Sequence, residues 1–162
     1  MKTKVDLWIE KAEEAWDKKD YEQAAKWYRK AAMEGDAGAQ YCIGWLYYAA
    51  LGVELDEAEA VKWFRLAAEQ GVPDAQKALG DMYHLGYGVK HDEAEAIKWF
   101  RLAAEQGDPN AQKALGDMYH LGCGVEADDG KALDWYYKAS DQGNLEARRL
   151  AEQIVHVLEL MI

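Results

Sequence analysis

DEAEAVKWFRLAAEQGVPDAQKALGDMYHLGYGVKH, residues 56–91, is followed without a gap by DEAEAIKWFRLAAEQGDPNAQKALGDMYHLGCGVEA, residues 92–127. The two 36-residue stretches differ at six positions. Self-similarity at this period marks an array of stacked supersecondary units, each unable to bury its apolar face alone. Val61/Ile97, Val72/Asp108, Asp74/Asn110, Tyr87/Cys123 and Lys90/Glu126 are exchanges that a single base change makes. Duplication followed by drift explains them, with an engineered array as the other reading.

Working outward, two degenerate copies flank the pair. Residues 20–55 open DYEQAAKWYRKAAMEGDAGAQYCIGWLYY, and residues 128–162 open DDGKALDWYYKASDQGNLEARRLAEQ. Asp20, Asp56, Asp92 and Asp128 align, as do Trp27, Trp63, Trp99 and Trp135. Positions of the Ala24, Val61, Phe64 and Ala68 type recur at i, i+3, i+4 and i+7, which predicts a first helix with one apolar face. Gly35, Gly71, Gly107 and Gly143 end that helix, where positive φ is wanted. Pro73 and Pro109 open a second helix, where a missing N–H does no harm. Gly86–Val89 and Gly122–Val125 make the turn into the next repeat.

The run A-x-x-W-[YF]-x-x-A-A-x-Q-G, then A-Q-x-x-L-G-x-x-Y-x-x-G-x-G-V, resembles the Sel-one-like repeat (SLR) family, a relative of the tetratricopeptide repeat (TPR). The resemblance extends from Asp20 to about Gly143. It implies an all-α fold, a right-handed α–α superhelix (solenoid) of antiparallel helix pairs that acts as a scaffold for protein–protein contacts. It implies a class of function and no particular ligand.

The expected organisation is a single repeat domain over residues 1–162. Residues 1–19 form an N-terminal capping helix, followed by repeats 20–55, 56–91, 92–127 and 128–162, the last ending in a C-terminal capping helix. Gly44, Gly80 and Gly116 stand where the second helix should approach Ala60, Ala96 and Ala132 closely. Glu152 takes that position in the last helix, which suits a polar-faced cap.

Composition agrees with a helical chain: half the residues are hydrophobic, and two of 162 are proline. The net charge of −11 repels nucleic acid and anionic membrane, so neither is expected as a partner, and a basic or neutral one is easier to accommodate. No run approaches the ~18 apolar residues of a membrane span. MKTKVDLWIEKAEE has no apolar core of a signal peptide. Cytoplasmic residence and the mature part of an exported protein both stay open. Cys42 and Cys123 lie more than two repeats apart, too far for a disulfide.

The second helix separates two faces. Ala39, Ile43, Leu46, Tyr47 and Ala50 form the expected core stripe of the first repeat, with Ala75, Leu79, Met82, Tyr83 and Ala111, Leu115, Met118, Tyr119 after it. By resemblance to TPR arrays, the other face lines a concave groove. It reads Tyr41, Trp45, Tyr48, then Lys77, Asp81, His84, then Lys113, Asp117, His120, then Arg149, Gln153, His156. Three large aromatics off the core stripe need something to cover them. Either they form an apolar anchor for a partner, or Trp16 and Tyr21 close over them as a local core. The polar track is either a set of orienting contacts for a peptide or a solvated face of i, i+4 ion pairs.

The partner expected is a protein or peptide in the groove, bound by Tyr41, Trp45, Tyr48, Lys77, Asp81, His84, Lys113, Asp117, His120 and Arg149. No catalytic, cofactor or metal residue is expected. Thr3 and Ser140 are the chain's hydroxyl residues besides tyrosine, which leaves little material for a nucleophile. His84, His120 and His156 recur a repeat apart, wider than one metal's ligands can be. The β-lactam-binding activity of cysteine-rich relatives is a remote alternative, because their paired cysteines are missing. A structural module that self-associates through its apolar C-terminal helix is the nearer one.

Overall fold

A computed structural model describes residues 2–161, and its regular structure is entirely α-helical among them. The helices are α1 (Lys4–Asp17), α2 (Tyr21–Met33), α3 (Ala37–Tyr48), α4 (Glu57–Glu69), α5 (Pro73–Leu85), α6 (Glu93–Glu105), α7 (Pro109–Leu121), α8 (Asp129–Asp141) and α9 (Leu145–Leu160). From α2 and α3 onward, each helix start recurs 36 residues later. The all-α helical-repeat class read from the sequence therefore holds. Residues 1–91 and 92–162 form two compact units. In the first, α1 to α5 pack each against the next; in the second, α6 to α9 do the same.

The recurring aspartates mark helix starts because they cap them. Asp20, Asp56, Asp92 and Asp128 accept the backbone N–H three residues on, as do Asp36, Asp108 and Asn144 before the second helices. Each such cap satisfies one of the unpaired donors at a helix N-terminus. Thr3 and Asp6 make a reciprocal capping box for α1. Val72 is the exception: it begins α5 with no side-chain bond, ahead of Pro73.

Alanine fills the helix–helix contacts. Ala12, Ala24, Ala31, Ala60, Ala67 and Ala75 are fully buried in the first unit, with Ile43, Leu46 and Leu79 between them. Tyr136, Phe100 and Leu115 serve the same purpose in the second. Gly44 meets chiefly an aromatic ring: a Cβ there would stand 2.8 Å from the Phe64 ring and 3.4 Å from the Ala60 carbonyl. Gly116 faces the Tyr136 ring in the same way, at 2.7 Å. Ala50 is not part of the core stripe. It lies beyond the end of α3, exposed, at φ 54°, where the later repeats carry Gly86 and Gly122.

Two polar devices repeat with the helices. The Arg65 guanidinium donates to Tyr83 Oη at 2.5 Å and that of Arg101 to Tyr119 Oη at 2.9 Å, with Arg29 and Tyr47 paired alike. These bonds tie the first helix of a repeat to its second. Gln40, Gln76 and Gln112 are buried, and each donates to a carbonyl at the end of the preceding helix: Ala32 at 3.2 Å, Ala68 at 3.1 Å and Ala104 at 3.1 Å. Gln70 then donates to Gln40 Oε1 at 2.8 Å, and Gln142 to Gln112 Oε1 at 2.7 Å. A buried amide is tolerated only with its hydrogen bonds made, and here they join consecutive repeats.

Candidate partner-binding cleft

The first unit contains a cleft of about 560 Å³ lined by Glu13, Trp16, Asp17, Tyr28, Tyr41, Cys42, Trp45 and Leu51. Three helices build it. On α1, Glu13, Trp16 and Asp17 sit at i, i+3 and i+4, so helical geometry puts them on one face. Helix α2 supplies Tyr28, buried against the floor. Helix α3 supplies Tyr41, Cys42 and Trp45, and Leu51 closes the end past it.

Tyr41 and Trp45 are thus brought together as the sequence pattern suggested. The Tyr41 ring centroid lies 5.9 Å from that of buried Phe64. Tyr48 does not line the cleft; it packs edge-on against Trp45, with centroids 5.9 Å apart and planes at 86°. Trp16 joins the cleft wall while meeting Tyr21 edge-on at 5.4 Å. Trp16 remains 38% exposed, Trp45 41% and Tyr48 37%, so the rings partly shield one another and still present open faces.

Tyr28 and Cys42, both lining the cleft, act on each other's ionisation. Burial, with the adjacent thiol and the carboxylates of Glu13 and Asp17, pushes the phenol well above its ordinary range. Burial likewise raises the thiol, against the influence of Tyr28, which favours its ionised form.

Glu13, Asp17, Tyr28, Cys42 and Leu51 were not expected at this site. The signal for the first two was present in the spacing of α1, read earlier only as a cap. Tyr28 and Cys42 follow core and near-core positions of their own helices, and nothing in the pattern points them at a cleft.

The polar track divides between the units. Lys77, Asp81 and His84 lie on α5 of the first, and Lys77 Nζ reaches Asp81 Oδ2 at 2.6 Å. Both side chains are about a third exposed, so the pair contributes at most about 1 kcal/mol. In the second unit Lys113 bridges Asp117 at 3.0 Å and Glu146 at 3.3 Å. Burial pulls the Lys113 ammonium down, but the two carboxylates outweigh it and leave it raised. Asp117 also accepts the Tyr136 hydroxyl at 2.7 Å, and His120 Nδ1 stands 2.6 Å from Asp129 Oδ1. Arg149 is exposed on α9.

Among the described residues, no three His, Cys, Asp or Glu side chains converge as a metal site needs, and no helix is long and apolar enough to cross a membrane. Helix α9 leaves Val157, Leu158, Leu160 and Met161 exposed, the surface on which self-association would depend.

The Sel1 repeat family matches residues 16–36, 37–72, 73–108 and 109–144. Those segments pair each second helix with the first helix that follows it, half a repeat out of phase with boundaries drawn at the aspartates. A protective antigen of uropathogenic Escherichia coli with an SLR fold is 44% identical, with a TM-score of 0.86, over 89% of this chain and 32% of that one. A Sel1 repeat protein from Oxalobacter formigenes is 36% identical, with a TM-score of 0.82, over 86% of this chain and 58% of that one. The chain thus spans about a third of the first and just over half of the second. Cysteine-rich protein B of Helicobacter pylori, at 22% identity and a TM-score of 0.65, shares the fold over 81% of this chain and 94% of its own. No curated protein sequence matches. With four consecutive matches running from residue 16 to residue 144, the chain belongs to the Sel1 repeat family.

Proposed function

We propose that the chain is a non-enzymatic scaffold that binds a protein or peptide, with the aromatic cleft of its first repeat as the anchor. Sel1 repeats are in general protein-interaction modules, which supports the class of function. The observation that carries the finer reading is the half-exposed Trp16–Tyr41–Trp45 wall around a cleft of about 560 Å³. Binding energy concentrates on aromatic and arginine residues in recessed sites, and a cleft of this size falls in the ~300–1,000 Å³ range of ligand sites.

Tyr41 and Trp45 supply the apolar contact, and Tyr48 holds the Trp45 ring from behind. Lys77, Asp81 and His84 extend a polar surface on α5. Lys113, Asp117, His120 and Arg149 belong to the orienting set on the second unit; Lys113, Asp117 and His120 are already paired internally, as Lys77 and Asp81 are on α5, and such paired groups are the weaker contributors. The test is Trp45→Ala. With helicity and melting temperature retained, affinity for a partner recovered from the native source is expected to fall at least about tenfold, the size of a hot-spot loss. Unchanged affinity in a folded variant removes the anchor.

A further inference from the structure

We infer that the cleft takes a cation, the arginine side chain of a basic peptide segment; this deepens the anchor reading and rests on it. Charge is the first observation. Glu13 and Asp17 line the cleft on the two sides of Trp16, one helical turn apart, and none of the other lining residues is basic. Among the described residues neither carboxylate has a salt-bridge partner, whereas Glu10 pairs with Lys2 and Glu34 with Lys4 nearby. A neutral apolar occupant would strip water from both carboxylates and return no counter-charge, which costs free energy.

The aromatic faces are the second observation, and the molecule supplies its own comparison. Lys4 lies over the Trp8 ring at 5.5 Å, Lys30 over Trp27 at 4.3 Å and Lys11 over Trp27 at 4.5 Å. In the other unit Lys138 lies over Trp135 at 4.0 Å. These indoles are covered by cations of the same chain. Among the described residues no lysine or arginine covers Trp16 or Trp45, although both are more than a third exposed and line the same cleft as the carboxylates of Glu13 and Asp17. Indole faces attract cations through the ring quadrupole, more strongly where water is excluded.

Arginine suits this arrangement better than lysine. Its planar guanidinium stacks flat on an indole while its edge forks onto a carboxylate, and two carboxylates a turn apart offer that edge a partner. Elsewhere in the chain Arg29 and Arg65 sit beside Tyr47 and Tyr83, with guanidinium carbons 5.6 Å from the ring centroids and the phenol hydroxyls accepting from them. A net charge of −11 adds a field that draws basic segments in. The exposed apolar residues of a second copy's α9, Val157, Leu158 and Leu160, are a poor match, since they bring no counter-charge to the two carboxylates.

The probes are three blocked pentapeptides, Gly-Ser-X-Ser-Gly, with X arginine, lysine or norleucine, titrated into the full chain to about 10 mM. The readout is the indole N–H signals of Trp16 and Trp45 in heteronuclear NMR. The arginine peptide is expected to move both signals and to bind about tenfold or more tighter than the norleucine peptide, with lysine between. Glu13→Gln with Asp17→Asn is expected to weaken the arginine peptide about fivefold or more and leave norleucine unchanged. Both residues are exposed, and Asp17 sits at the negative end of α1, so neutralising it does not oppose the helix dipole. Equal binding of arginine and norleucine peptides, indifferent to the double substitution, overturns the cation assignment while the apolar anchor survives. If no peptide moves the Trp45 signal, the anchor reading fails with it.

Discussion

Cys42 and Tyr28 show how one residue pair can set a property of the protein. In the unfolded chain the thiol ionises near pH 9 and the phenol near pH 10; in the fold, burial raises both. A group whose folded value is raised binds its proton more tightly in the native state. Its contribution is therefore whole below pH 9 and is lost as pH climbs toward the folded values. Tyr136 acts in the same direction, raised by burial and by the Asp117 carboxylate it donates to. The urea midpoint is expected to hold steady from pH 7 to 9 and then decline toward pH 11. Tyr28→Phe removes one of the titrating groups and should flatten part of that decline; a profile identical to the parent's would assign the alkaline loss elsewhere. Residue-level pairing of this kind was illegible beforehand. Cys42 is an ordinary small apolar residue in the sequence pattern, and only the stacking of α2 on α3 puts Tyr28 beside it.

At the scale of the helix, the near-duplicate repeats provide a controlled comparison. Val72 and Asp108 precede α5 and α7 with nearly the same backbone, φ −69° and ψ 113° against φ −64° and ψ 115°. Asp108 accepts the Ala111 N–H at 2.6 Å, and Val72 offers nothing to Ala75. Val72→Asp should therefore stabilise the chain by about 1 kcal/mol, the usual worth of a cap. Chemical denaturation reads it directly, and no gain would mean that burial of the valine offsets the cap. The repeat starts and the closing glycines were readable from the sequence, because the period displays them four times; that the aspartates cap their helices came with the structure. The buried glutamines were not, although A-Q recurs in the first three repeats. Glutamine is ordinarily a surface residue, and its meaning appears only when the preceding helix's carbonyls arrive above it.

At the scale of the molecule, what was legible follows from what repetition can carry. Two copies of one text specify one helix pair, so the repeat could be read from residues 56–127 alone. The cleft lies where the text departs from its own pattern. Tyr41, Trp45 and Tyr48 stand in place of Lys, Asp and His, and that departure was visible. Its partners Glu13, Trp16 and Asp17 come from α1, which has no counterpart to compare it with. The acidic character of the site therefore stood in the spacing of α1 without a repeat to set it against, while its aromatic character was plain.

The Gln70–Gln40 bond has a consequence for how such a chain can change its length. The donor of that bond recurs as Gln106, and residues 92–105 match 56–69 except for Ile97 in place of Val61. Excising residues 56–91 would bring Gln106 to Gln40 and Phe100 to Gly44, recreating a junction that already exists. Such a chain is expected to fold with a lower melting temperature and an intact Trp45 cleft; loss of helicity by circular dichroism would refute it. Unequal recombination between the two copies could thus lengthen or shorten the array without inventing a new surface, leaving the residues of the proposed anchor untouched.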